Sequence, residues 1–214
     1  MSRMSNGVYS KLPVAEAGEL LDFWFGDPSD TADVEERRKL WFSSTKAQDL
    51  EMRERFGALH ERAVRGNLDD WMAWPRTALA LILLLDQLTR NLYRGTARAF
   101  ANDEQALARS GESIDRGFDS ELYVPERTFL YMPFQHSEDL DIQRRGLALF
   151  GALAKDAPPS FGGYVKNVYD HAVLHHDLVK RFGRFPHRNK LLARPSTEGE
   201  REYLEQGGQR FGQG

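Results

Sequence analysis

The chain has no cysteine among its 214 residues. Disulfides, thiolate metal sites and a cysteine nucleophile are therefore excluded. A reducing compartment fits that absence, and a cytoplasmic location is expected. Long apolar runs are missing as well. The most apolar stretch, ALALILLL at 78–85, runs straight into Asp86, Gln87 and Arg90. A membrane span needs about 20 such residues, so the stretch is read as a buried core helix and no membrane partner is expected. The opening MSRMSNGVYSKLPVAEAGELL holds no apolar run, so no secretory signal is expected. There is no excess of positive charge: 29 Lys and Arg stand against 32 Asp and Glu, a formal charge of −3. That balance argues against bulk electrostatic binding to nucleic acid or anionic lipid. Strand-type alternation is absent throughout.

What is present is helical punctuation. Residues 15–25 carry Leu20, Leu21, Trp24 and Phe25 at helical spacing, stopped by Gly26 and Pro28. A short helix is expected over 32–42, and a longer one, capped by Ser44 or Thr45, up to Gly66. Pro75 suits the first turn of a helix over 75–92 that is apolar on every side through Leu85, so it should be central. Further helices are expected from a cap at Asn102 or Asp103 to about Arg116, from Pro125 to Phe134, from a cap at Ser137 to Asp156, and over 163–182. Thr197 and Glu200 form a capping box for a last one over about 198–206. The expected fold is all-α, with about eight or nine helices in antiparallel pairs. A single domain should span 15–206, with flexible segments at 1–14 and 207–214.

Several polar residues stand where a core should be. Asp86, Arg90 and Arg94 follow one another at i, i+4 and i+8 on the central helix. On a wet surface such a series is worth a few tenths of a kcal/mol. At the end of an apolar helix it is read equally as a buried structural pair or as part of a pocket. On the 163–182 helix, Tyr164, Val168, His171, His175, Leu178 and Phe182 define one seam. Two histidines at i, i+4 on a seam are core residues, anion binders or metal ligands, and the core reading is favoured. A third cluster, ERTFLYMPFQHSED at 126–139, supplies Glu126, Arg127, His136, Glu138 and Asp139. Its Ser137 is read as a helix cap, because acidic residues follow it and no nucleophile elbow surrounds it.

The stretch RFGRFPHRN at 181–189 carries the strongest signal. From Lys180 to Arg194 there are six Lys and Arg, with His187 besides, and no acidic residue. A helix C-terminus accounts for Lys180 and Arg181. It does not account for Arg184 and Arg188, placed around a rigid Phe-Pro. Arginine is the residue for bidentate carboxylate or phosphate recognition. The loop is expected to pack back on the core and to bring Arg184 and Arg188 toward Asp86.

LLDFWFG, LWF, LLLDQLTRNLYRGTARAFANDEQAL, ERTFLYMPFQHSEDLDIQ and HHDLVKRFGRFPHRNKLLARPSTEGE resemble, in order, the signature blocks of domain-of-unknown-function family nine-twenty-four. The resemblance runs from about residue 15 to 206. It implies a mostly bacterial protein with a tetratricopeptide-like helical superhelix. It implies no catalytic residue, cofactor or ligand.

Three functions are weighed. The first is a binding module whose pocket holds a small anionic molecule or a peptide terminus. Its residues are Asp86, Arg90, Arg94, Arg127, His136, Glu138, Asp139, His171, His175, Arg184, His187 and Arg188. The second is a hydrolase using the His/Asp/Glu cluster. The His-His-Asp run at 175–177 superficially suggests the helical metal phosphohydrolases, but no aspartate follows Asp177 to complete such a site. No metal is expected, since HxxxH alone supplies two ligands where structural zinc wants four, and no cofactor either. The third is single-strand nucleic-acid binding, with Phe182 and Phe185 stacking on bases; one basic loop in a net-acidic chain makes it unlikely.

Overall fold

The computed structural model describes residue 9 and residues 12–212. Nine α-helices follow in chain order, with no strand among the described residues. They are α1 (Ala15–Phe25), α2 (Thr31–Ser43), α3 (Lys46–Val64), α4, α5 (Asp103–Asp115), α6 (Val124–His136), α7 (Leu140–Asp156), α8 (Gly162–Phe182) and α9 (Glu198–Glu205). The α4 helix is one continuous rod in three parts: Pro75–Leu83, a π-helical turn Leu84–Leu88, and Thr89–Leu92.

Local chemistry sets most boundaries. The Asp30 carboxylate accepts the Ala32 N–H at the start of α2. Thr45 and Gln48 form a reciprocal capping box on α3, and Thr197 and Glu200 form one on α9. Each box satisfies two orphan N–H groups and is worth about 1 kcal/mol. Two expected caps are corrected. Asn102 makes no capping bond; its amide donates to Thr89 Oγ1 at 3.0 Å instead. Ser137 ends α6, and Asp139 caps α7 by accepting from the N–H groups of Asp141 and Ile142.

Every residue of α4 from Thr77 to Leu92 is buried. Its leucines and isoleucine each gain about 1.5–3 kcal/mol on leaving water, which is why the all-round apolar segment becomes the axis of the molecule. Helices α1, α3, α5 and α6 pack on it. The next layer follows the chain, with α6 against α7 and α7 against α8. Gly146 permits the α6–α7 approach: a Cβ there would lie 3.0 Å from Phe134 Cβ.

The basic stretch folds inward as expected. Gly183 ends α8 in the left-handed region at φ 71°. The chain then enters a short 3-10 turn, Pro186–Arg188, and all residues from Phe185 to Asn189 are buried. Both end segments make contacts where they are described. Tyr9 is buried, and its hydroxyl donates to Glu126 Oε1 at 2.8 Å. Residues 1–8, 10–11 and 213–214 lie outside the described residues. Beyond α9 the chain turns back: Gln209 N donates to Tyr203 Oη at 2.8 Å, and Phe211 stacks on the His175 ring at 3.9 Å.

Candidate functional site

A cleft of about 450 Å³ opens between α2, α4, α6, α8, the 186–188 turn and the returning C-terminal segment. Its polar floor is set by the π turn of α4. A π turn admits one extra residue and re-aims the side chains around it, often at functional sites. Here the turn contains Asp86 and Gln87, and Arg90 follows within the next helical turn.

The Asp86 side chain is 1% exposed. Its Oδ1 accepts from His136 Nδ1 at 2.7 Å and lies 3.5 Å from Arg90 Nη2. Its Oδ2 accepts from Gln87 Nε2 at 2.6 Å. Burial opposes the charge on Asp86, but His136, Arg90 and Gln87 outweigh it and hold the carboxyl below the usual range. The His136 imidazole shifts down, through burial first and the Arg90 charge second. The pair is therefore an ionised carboxylate beside a neutral imidazole that donates from Nδ1 and keeps a lone pair on Nε2.

Two arginines share one acid above this floor. Asp103 takes Arg90 Nη1 at 2.7 Å on one oxygen and Arg188 Nη1 at 3.0 Å on the other. The remaining Nη2 of Arg188 donates to the His136 carbonyl at 3.0 Å. Three buried atoms in this wall have no hydrogen-bond partner among the described residues: Arg90 Nη2, Arg188 Nε and His187 Nδ1. Burial lowers Arg188 to about 10, against the attraction of Asp103 and with the help of Arg90. Burial and Arg188 lower His187 to about 3, so the ring is neutral.

Helix α8 supplies His171 and His175. Each donates from Nδ1 to the carbonyl four residues earlier, at 2.8 Å, which leaves Nε2 as acceptor. The His175 side chain is buried, and burial with His136 nearby pushes it well below the ordinary value. His171 is exposed, at the cleft edge, although the seam placed it inward. Arg94 forms the rim: it pairs with Asp49 at 2.9 Å and donates through Nη1 to the Gly212 carbonyl at 2.9 Å.

Of the residues expected in one pocket, Arg90, Arg94, His136, His171, His175, His187 and Arg188 line the cleft, and Asp86 lies behind it, bonded to His136 and Gln87. Four others go elsewhere. Arg127 faces Tyr131, whose hydroxyl bonds Asp119. Glu138 is clamped by Arg194 at 2.6 and 2.9 Å and by the Phe185 N–H. Asp139 is spent as the α7 cap. Arg184 points away from Asp86 and clamps Glu200 at 2.6 and 2.8 Å. The reason is geometric: once Phe185 is inserted in the core, alternate residues of the extended chain face opposite ways, and α9 returns a carboxylate to the Arg184 side. Phe185 is 0% exposed and so cannot serve as a stacking platform for bases.

Sequence reasoning missed Asp103, whose shared role depends on α5 meeting the 186–188 turn. It also missed the apolar wall of Trp41, Phe42, Phe100 and Met132 and the contribution of Phe211. Gln87 carried a signal in being polar inside an apolar run. Among the described residues, no group of three or more His, Asp and Glu has a metal-holding arrangement. No helix there is long and apolar enough to cross a membrane.

Fold and cleft together define an all-α protein with an arginine- and histidine-walled cavity beside its central helix. The chain belongs to the family described as bacterial protein of unknown function (DUF924), whose model matches residues 20–208. A solved structure, the protein of unknown function ATU0120 from Agrobacterium tumefaciens, is similar to it at 38% identity and a TM-score of 0.77. That likeness covers 90% of this chain and 98% of the other. No curated protein matches.

Proposed function

We propose that the cleft binds a small anionic ligand, a phosphorylated or carboxylated molecule or the carboxylate end of a peptide. The observation that carries this reading is the set of buried, unpartnered polar atoms in one wall: Arg90 Nη2, Arg188 Nε and His187 Nδ1. Leaving such a group unsatisfied costs about 1–3 kcal/mol, and native proteins keep few of them. Asp86 lies 3.5 Å from Arg90 Nη2 and Asp103 serves both guanidinium groups, so Arg188 is the cation that has no carboxylate of its own. An anion seated between them gains charge-assisted hydrogen bonds in a site with little water to compete. The Trp41, Phe42, Phe100 and Met132 wall fits an apolar body on the ligand.

The test is a thermal melt with phosphate, pyrophosphate, citrate and a peptide bearing a free C-terminus, each against chloride at equal ionic strength. A ligand at a hundred times its Kd adds about 2.7 kcal/mol, or roughly 5–10 °C for a domain of this size. Arg188→Gln should abolish the shift, while Arg184→Ala, outside the cleft, should preserve it. Wild-type protein that responds to no anion beyond chloride, or an Arg188→Gln variant that responds as wild type does, would sink the reading.

A further inference from the structure

The chain beyond α9 folds back over the cleft, and Gln209, Phe211 and Gly212 all line it. The return starts at Gly207, in the left-handed region at φ 85°, and passes Gly208, where a Cβ would overlap the Tyr203 ring. Phe211 then packs on a small second core of Leu178, Val179 and Phe185, apart from the main one. Its ring stacks on His175 at 3.9 Å and lies 5.4 Å from His187. The Gly212 carbonyl accepts from Arg94 Nη1 at 2.9 Å, and Arg94 is itself fixed by Asp49. These ties are few. Among the described residues, no backbone–backbone hydrogen bond holds residues 209–212 to the rest of the chain. Gln209 and Arg210 are exposed, and Phe211 is half-buried. Phe211 also stands at φ 48°, a left-handed conformation that a residue with a side chain keeps only when its surroundings impose it. A segment with few contacts and a strained backbone has its closed and open states close in free energy.

A cavity of about 450 Å³ remains with the segment in place, and Phe211 and Gly212 belong to its wall. Ordinary ligand sites enclose roughly 300–1,000 Å³. The segment therefore closes over the space without filling it, which is the geometry of a lid and not of a plug. We propose that residues 207–212 form a strap that opens and closes the cleft about Gly207, with Phe211 latched on His175 and His187 and Arg94 holding the Gly212 carbonyl. A ligand enters and leaves through the open state. The closed state adds an aromatic wall and excludes water, which strengthens the polar contacts inside. The strap deepens the anion-binding reading and rests on it for the class of ligand that it admits.

Two measurements on the full chain test this, and neither uses a ligand. The first is amide hydrogen exchange of the wild type by NMR, in urea concentrations below the unfolding transition. The Gln209 N–H, which donates to Tyr203 Oη at 2.8 Å, should be protected from exchange. It should still exchange at least about 100-fold faster than the Leu81–Leu85 amides of α4, at a rate that low urea leaves unchanged, the mark of local opening. An unprotected Gln209 amide would mean that there is no closed state. Exchange at the α4 rate, with the α4 urea dependence, would mean that the strap opens only when the whole chain unfolds. Either result overturns the proposal. The second is diethyl pyrocarbonate modification, read residue by residue by mass spectrometry, with exposed His171 and buried His60 as references. A minor open state is populated at about 10% or less, so Phe211→Ala should raise the His175 rate at least about tenfold and leave His171 and His60 unchanged. A His175 rate equal to wild type would overturn the proposal, and so would a parallel rise at His60, which reports loosening of the whole fold. Anion-induced thermal shifts are read separately, so the strap can fail while the anion site stands, and the reverse.

Discussion

Replacing Arg184 by alanine removes three hydrogen bonds at once: Nε to Glu200 Oε1 at 2.6 Å, Nη2 to Glu200 Oε2 at 2.8 Å, and Nη2 to the Pro195 carbonyl at 2.8 Å. The Glu200 side chain left behind is 2% exposed and retains the Thr197 N–H at 2.7 Å. Breaking a buried pair from one side costs about 3–5 kcal/mol. The guanidinium is 26% exposed, and screening reduces the loss to about 2 kcal/mol. A domain of this size should then lose roughly 4–8 °C in Tm at pH 7. The pH dependence follows from the carboxyl. The Arg184 hydrogen bonds lower Glu200 from 4.5 to about 2 in the folded protein. A depressed folded pKa contributes stability that is full above the unfolded value and fades as pH falls through the folded one. The gap between wild type and Arg184→Ala should therefore be full above pH 5 and shrink steadily toward pH 2. Calorimetric melts across that range measure it. A gap under 1 °C at neutral pH, or one that does not change between pH 6 and 3, would refute the reasoning.

Two further changes probe the packing. Gly146→Ala should destabilise by about 1–3 kcal/mol in urea unfolding, because the new methyl meets Phe134 Cβ at 3.0 Å and both lie on helices that cannot part cheaply; an unchanged midpoint would show that α6 and α7 adjust freely. Thr197→Ala should cost about 1 kcal/mol through loss of the α9 cap. Combined with Arg184→Ala it should be non-additive by at least about 0.5 kcal/mol, since both residues hold Glu200; simple addition in the double-mutant cycle would mean that the cap and the clamp act independently.

The helices were legible because their signals are local. Pro75, the Thr45 and Thr197 caps and the Gly183 exit each act within one turn of chain, and the unbroken apolar run of α4 could bury itself only at the centre. The polar half of the cleft was legible for related reasons: Asp86 and Arg90 follow an unbroken apolar run, His175 falls on the Tyr164–Val168–Leu178 seam, and Arg188 stands in a basic stretch with no acidic residue. Pairing was not legible. Arg184, Arg188 and Arg194 sit within one short stretch, yet they reach Glu200, Asp103 and Glu138 on three different elements. Which carboxylate meets which guanidinium depends on where distant helices cross, and charge alone does not encode that. The same holds for Trp41 and Phe42, whose place in the cleft wall depends on how α2 meets the central helices. Residues 207–212 read as a polar tail, and nothing local in that stretch points to the Phe211 contacts with His175 and His187.

The cleft as an anion site is tested most directly by a crystal structure of the full chain grown with phosphate, or with whichever anion gives the largest thermal shift. The account predicts the anion in the cleft, within hydrogen-bond distance of Arg188 Nε and Arg90 Nη2, and absent from the same position in Arg188→Gln crystals. Density for the anion elsewhere with the cleft arginines untouched, or an unchanged site in the variant, would contradict it.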